Sequence, residues 1–259
     1  MPTGSIDSTT PNGRWGESLM ARLAVSKDYF GAYSRLPRKA QRKADEFLTK
    51  FHRDSTAASI HLEPLKGTLD PMLRSARIGD DYRVILRAPE QGDVFLVLWA
   101  DHHDEAYRWA ATKQTAVHPA TGSLQIFDAA PPALPAEIEA EIAAMGAAVP
   151  LPAAPRVFAA FSDDDLFLAG VPRALVPSVR YIASDDDLDA LLSHLPAEAA
   201  EVLTGLAAGM ALDEVLAEVL GRESTPAAAT AIDVADVPAA LARQTTQRQF
   251  HLIEGEAEL

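Results

Sequence analysis

The sequence predicts an α+β fold: an antiparallel sheet with two packed helices, followed by a mostly α-helical module. Three observations carry that reading. Strand-like runs at 72–78, 82–87 and 94–100 are separated by hairpin-length turns, Gly79-Asp80-Asp81 and Glu90-Gln91-Gly92-Asp93. A helix-periodic basic segment follows Pro37, with Ala40, Ala44, Phe47, Leu48 and Phe51 on one face. Residues 156–222 show helical periodicity throughout.

In chain order, residues 1–16 are polar, contain Gly and Pro, and are expected to be disordered. Residues 20–25 alternate apolar and polar side chains, which predicts a strand. Ser26-Lys27-Asp28 then opens a helix over 29–36, and Pro37 starts the next, which runs to Phe51. The solvent side of that second helix is basic, with Arg38, Lys39, Arg42, Lys43 and Lys50. After the three strands, 104–112 reads as a short helix. Residues 17–128 therefore form one β-α-α-β-β-β-α unit.

Residues 129–155 are rich in Ala and Pro and read as a linker, with a helical piece at 136–147. The module over 156–222 is acidic. It contains Ser162-Asp163-Asp164-Asp165-Leu166 and the same five residues again at 184–188. Such a repeat is either a cation site or phosphate mimic, or a pair of helix N-caps. No glycine turn and no bidentate Glu follow at EF-hand spacing, which favours caps. Residues 197–208 and 212–220 supply further helices. Residues 223–232 are a polar break, and 223–259 form a tail ending, near 248–254, like a strand directed at something outside the chain.

Composition narrows the chemistry. There is no cysteine among the 259 residues, so disulfides, thiolate metal sites and cysteine nucleophiles are excluded. The N-terminus lacks the basic and apolar regions of a signal peptide, and no run approaches the roughly 18 apolar residues of a membrane span, so a cytoplasmic protein is expected. The net charge of −14 is uneven: residues 1–118 hold 17 basic and 15 acidic residues, residues 119–259 hold 6 and 22. A polyanion would be repelled by the second half but could meet a local basic face on the first.

The chemistry-bearing segment is Trp99-Ala100-Asp101-His102-His103-Asp104-Glu105-Ala106-Tyr107-Arg108-Trp109. Imidazole, phenol and guanidinium groups at a strand end are what a metal-free ribonuclease uses, and what an inert nucleic-acid-binding relative would keep. Asp80, Asp81, Asp101, Asp104 and Glu105 surround them and oppose a polyanion. The alternative reading pairs Arg77 and Arg83 with nearby aspartates and places Tyr107 at the core edge. His102 and His103 are adjacent, so at most one faces a given site.

Over residues 19–113 the chain resembles the RelE/ParE superfamily of bacterial toxin-like domains. The matching positions are Leu62-Glu63-Pro64-Leu65-Lys66-Gly67, then Arg74 through Ile85, then His102 through Tyr107. The resemblance implies that Arg83 would stabilise phosphate charge, Arg77 would bind backbone, His102 or His103 would supply acid–base capacity and Tyr107 would assist, without a metal. Active members often carry Lys where this chain has Ser75.

Residues 161–216, from Phe161 through Gly170-Val171-Pro172 to Leu216, are similar to a helical region in bacterial UvrD-like helicases of superfamily 1. There a RelE-like domain precedes this module and an ATPase core follows. Gln247-Arg248-Gln249-Phe250-His251-Leu252-Ile253 looks like the lead-in to that core. No Gly-x-x-x-x-Gly-Lys-Ser/Thr occurs in the chain, so no P-loop lies within it. The Gly170 turn resembles half of a helix-hairpin-helix phosphate clamp but lacks the second glycine.

These resemblances imply a non-catalytic accessory region of a bacterial UvrD-like DNA repair helicase, touching nucleic acid or a helicase core in cis. Arg38, Lys39, Arg42, Lys43, Arg74 and Arg77 would be the contacts. No cofactor or metal is expected in this chain, and ATP and Mg belong only to the core. The alternatives are a RelE-like ribonuclease using Arg83, His103 and Tyr107, and a protein-interaction module using the acidic half.

Overall fold

The computed structural model describes residues 21–57, 59–129, 156–221 and 232–253. The expectations for 1–16, for the 136–147 helical piece and for nearly all of the 129–155 linker and the 223–232 break lie outside them.

The sheet has six strands in the order β2-β3-β4-β5-β1-β8: β1 Arg22–Ser26, β2 Leu62–Pro64, β3 Leu73–Arg77, β4 Tyr82–Arg87, β5 Val94–His102 and β8 Phe250–Ile253. It is mixed rather than antiparallel, because β1 runs parallel to β5, with Leu23 opposite Phe95 and Val25 opposite Val97. Two helices supply the crossover that a parallel pair requires: α1 Lys27–Arg35 and α2 Arg38–Arg53. Ser26 fixes the start of α1. Its hydroxyl accepts from the Tyr29 N–H at 3.1 Å and donates to the Leu98 carbonyl of β5 at 2.9 Å.

Alternation divides the sheet into two buried faces. Leu23, Val25, Ala76, Val84, Leu86 and Val97 pack under α1 and α2 against Ala44, Phe47, Leu48 and Phe51. Ala24, Leu73, Ile85, Leu96 and Leu98 face the other way. There they are covered by α3 (His103–Thr112), by a hairpin of β6 (Lys113–Val117) and β7 (Leu124–Asp128), and by C-terminal residues. A sheet with helices on one face only was expected; coverage on both faces is why the consecutive residues Leu23, Ala24 and Val25 of β1 are all buried.

The hairpin was not anticipated. Thr115, Val117, Leu124 and Ile126 turn toward the sheet, while Phe127 enters a second core with Phe158, Leu166, Val171, Leu175, Val202 and Leu203. The hairpin thus contributes side chains to both cores.

The second core is helical: α4 Asp163–Leu168, a 3-10 turn Arg173–Leu175, α5 Val176–Arg180, α6 Asp185–Leu192, α7 Ala197–Ala207 and α8 Leu212–Leu220. The repeated Ser-Asp-Asp-Asp-Leu motifs are capping boxes. Ser162 takes the Asp165 N–H and Asp165 takes the Ser162 N–H; Ser184 and Asp187 do the same. Bonds from Ser162 hold the Asp165 carboxyl below the usual range, and the Ala183 N–H together with Ser184 holds Asp187 there.

The tail also departs from expectation. α9 Val237–Leu241 and α10 Gln244–Gln247 dock on the hairpin, where Thr246 accepts from the Leu124 N–H at 2.9 Å. Strand β8 pairs antiparallel with β1, Val25 opposite His251 and Leu23 opposite Ile253. Its apolar residues find a partner within the sheet because β1 would otherwise present an unpaired buried edge.

Candidate functional site

The site predicted from the sequence lies where β3, β4 and β5 end. Gly79, at φ 90°, turns β3 into β4, and the register aligns Arg77 with Arg83 and Arg83 with Asp101. These three side chains share the α3 face. The chain then turns directly from β5 into α3, and the His103 N–H donates to the Asp81 carbonyl at 2.6 Å. His103 and Tyr107, four residues apart on one helix face, stack with ring centroids 4.4 Å apart.

The catalytic candidates are turned inward or toward one another. Arg83 is 6% exposed, and its guanidinium donates to the carbonyls of Tyr82 (2.9 Å) and Asp80 (3.4 Å), bracing its own turn. The Tyr107 hydroxyl lies 3.2 Å from the Ser75 hydroxyl, which is buried in β3. His103 Nδ1 is 3.0 Å from an Asp104 carboxylate oxygen. That hydrogen bond, with the nearby His103, His102 and Arg108 charges, holds the Asp104 carboxyl low. His102 is exposed and meets Tyr82 edge-on. Trp99 and Trp109 stack at 5.2 Å, with the Arg35 guanidinium 5.4 Å from the first ring and Lys113 Nζ 5.9 Å from the second.

The predicted nucleic-acid contacts do not converge on this cluster. Arg77 is exposed beside it. Arg74 points to the opposite face, where its Nη1 donates to the Pro71 and Leu73 carbonyls, both at 2.8 Å. Arg38, Lys39, Arg42 and Lys43 are all exposed on α2, whose apolar side covers that opposite face. Lys43 there pairs with Glu46 at 2.7 Å. The sheet therefore separates the helical basic row from the His103–Tyr107 pair.

Other polar centres escaped the sequence because their members are far apart in the chain. Asp128 accepts from Thr112 at 2.7 Å and Lys113 at 3.0 Å, and pairs with His194 Nδ1 at 2.8 Å. Burial pushes Asp128 up, but these bonds and the Lys113 charge leave it below the usual range. Gln125 Nε2 donates to the Gly170 carbonyl and to Glu198, each at 2.8 Å. Glu198 is 4% exposed, and burial pushes its carboxyl up against that hydrogen bond. A Cβ on Gly170 would lie 3.4 Å from Glu198 Cγ, so this turn faces a carboxyl side chain rather than offering a phosphate clamp. Asp70 and Arg87 form a buried ion pair at 3.2 Å. Only the alternation of β4 hinted at Arg87, and nothing in the sequence singled out Asp70.

Among the described residues, no group of three or more His, Cys, Asp or Glu could hold a metal ion, and no helix is long and apolar enough to cross a membrane.

No family model matches this chain. No curated protein matches it. Among solved structures, part of it is weakly similar to the archaeal RelE–RelB complex from Pyrococcus horikoshii OT3, at 27% identity, 32% coverage of this chain and 96% of that one, TM-score 0.27. It is likewise similar to the YoeB/ParE toxin from Agrobacterium tumefaciens, at 22% identity, 32% and 98% coverage, TM-score 0.27.

Proposed function

We propose that this chain is a non-catalytic accessory region of a UvrD-like DNA helicase, in which a RelE/ParE-like unit is kept as a scaffold and contacts nucleic acid or the helicase core. The observation that carries the non-catalytic part is the commitment of Arg83. A phosphate-stabilising guanidinium must present its donors to the reacting group, whereas Arg83 is buried and spends Nη1 on the carbonyls of Asp80 and Tyr82. The Tyr107–Ser75 hydrogen bond turns the phenol toward β3 in the same way. The motif order through residues 161–216 supports the helicase context, and the exposed row Arg38, Lys39, Arg42 and Lys43 supports a polyanionic or acidic partner.

The test has two arms. Purified protein incubated with ribosomes and mRNA should cleave no faster than a His103→Ala, Tyr107→Phe variant. Binding to single-stranded DNA, followed by fluorescence anisotropy across a salt series, should weaken on Arg38→Glu, Arg42→Glu substitution, with the salt slope falling by roughly one per lost phosphate contact.

One observation favours the ribonuclease reading: the stacked His103–Tyr107 pair leaves the imidazole 42% exposed. A loss of roughly 10²–10⁴-fold in cleavage by the double variant would establish it, since general acid–base groups contribute on that scale.

A further inference from the structure

Trp99 in the second half of β5 and Trp109 on α3 are half-buried and stack face to face, with ring centroids 5.2 Å and planes 9° apart. Each indole carries a cation. Lys113 Nζ lies 5.9 Å from the Trp109 ring, and the Arg35 guanidinium lies 5.4 Å from the Trp99 ring. The two cations differ in what else holds them. Lys113 is largely buried and paired with Asp128 at 3.0 Å, so its end of the column is closed. Arg35 is exposed at the end of α1, and among the described residues its side chain makes no ion pair and no hydrogen bond. The column thus ends in a planar, charged group that is backed by aromatic surface and open to solvent.

Two observations indicate what this open end takes. Gly31 lies inside α1, where glycine costs about 1 kcal/mol relative to alanine. A Cβ there would meet only Arg35 Nη1, at 4.0 Å, so packing within the chain does not require the glycine. Its effect is to keep the surface beside the guanidinium low. The second observation is charge. Only Leu36 and Pro37 separate Arg35 from the start of α2, where the exposed Arg38, Lys39 and Arg42 also make no ion pair among the described residues, Glu46 being taken by Lys43. A row of cations neutralises phosphates on any strand. A plane backed by two indoles rewards only bases whose faces are free, and duplex bases keep their faces on one another. We infer that Arg35, supported by Trp99 and Trp109, is the base-stacking end of a single-strand track whose phosphates run along Arg38, Lys39 and Arg42. This rests on the nucleic-acid contact proposed above and adds to it the class of strand and the group that selects it. An acidic peptide would satisfy the same cations but gains nothing from the plane.

The test compares four probes of equal length on the full chain by fluorescence anisotropy: oligo(dT), an abasic deoxyribose-phosphate strand, a DNA duplex and oligo-glutamate. Oligo(dT) should bind roughly tenfold more tightly than the abasic strand, the scale of one stacked base, and more tightly than the duplex or oligo-glutamate. In a Trp15→Phe background, which leaves Trp99 and Trp109 as the two indoles, oligo(dT) should change their emission and the abasic strand should not. Arg35→Lys keeps the charge and removes the plane. It should bring oligo(dT) down to the affinity of the abasic strand and leave the abasic strand itself within about twofold. Gly31→Leu, whose side chain would stand against the guanidinium, should likewise weaken oligo(dT) alone. Arg38→Glu with Arg42→Glu should weaken both single strands alike. Equal binding of oligo(dT) and the abasic strand, equal or tighter binding of the duplex, or an Arg35→Lys variant that keeps the preference for bases overturns the inference while leaving the basic-row contact standing. Oligo-glutamate binding as tightly as oligo(dT) overturns it in favour of an acidic protein partner. Binding of neither strand nor duplex removes the nucleic-acid contact and this inference together.

Discussion

Asp70→Ala should be among the most damaging single substitutions in the chain. Asp70 joins three segments, because its carboxylate takes the Met72 N–H before β3, the Arg87 guanidinium on β4 and the Thr115 N–H on β6. Truncation leaves a side chain only 8% exposed, Arg87, without its buried anion, and removes the acceptor of two backbone N–H groups. Breaking a buried ion pair from one side costs about 3–5 kcal/mol. Glu90 still reaches Arg87 at 2.6 Å, but it is 56% exposed, and such a pair offsets no more than about 1 kcal/mol. The expected loss is therefore about 3–4 kcal/mol, a large share of the roughly 5–15 kcal/mol that stabilises a domain. Arg87→Met should cost less, about 2 kcal/mol, because Asp70 keeps two N–H donors. The double variant should fall well short of the sum, giving a coupling of about 2 kcal/mol. Urea unfolding followed by far-ultraviolet circular dichroism measures all four corners of this cycle. A loss below about 1 kcal/mol for Asp70→Ala, or a coupling near zero, would refute the reasoning.

Four further outcomes are expected. Ser162→Ala and Ser184→Ala should each destabilise by about 1 kcal/mol. Asp165 and Asp187 titrate low in the folded chain, so their stabilisation is present above the ordinary carboxylate pKa and lost as pH falls through the folded value; Asp165→Asn with Asp187→Asn should flatten the acid limb of a stability–pH curve. Glu198 has the opposite sign. Its folded pKa is raised, so its contribution is fully present below the unfolded pKa and lost as pH rises through the folded one. Glu198→Gln should remove that alkaline loss, and a wild-type curve with no such loss would contradict the burial argument. Gly205→Ala gains about 1 kcal/mol of helix propensity. Its Cβ would nonetheless sit 2.9 Å from Val215 Cγ2, and overpacking of about 1–3 kcal/mol should make the variant less stable on balance, as thermal unfolding would show.

Much of the local structure was legible because its causes are local. Ser26, Ser162 and Ser184 cap the helices they precede. The Gly79 turn joins β3 to β4, and the apolar row Ala40–Ala44–Phe47–Phe51 is the buried side of α2. The hairpin over 113–128 left little signal, because both of its faces are packed and neither Lys113–Val117 nor Leu124–Asp128 alternates cleanly between apolar and polar side chains. The site was legible in part. Residue spacing placed His103 with Tyr107, but not the inward turn of Arg83, which depends on the β3–β4 turn carbonyls lying within its reach.

By itself the sequence determined α1, α2, α3, the strands β1, β3, β4 and β5, the capped helices after Ser162 and Ser184 and the basic side of α2, since these follow from periodicity and turn chemistry within a few residues. Tertiary structure alone decided that β1 runs parallel to β5, that β8 closes against β1 rather than leaving the sheet, and that Asp128 meets His194 and Gln125 meets Glu198 across 66 and 73 residues. Such pairings depend on which buried edges and polar groups lack a partner once the chain has collapsed, and no local pattern records that.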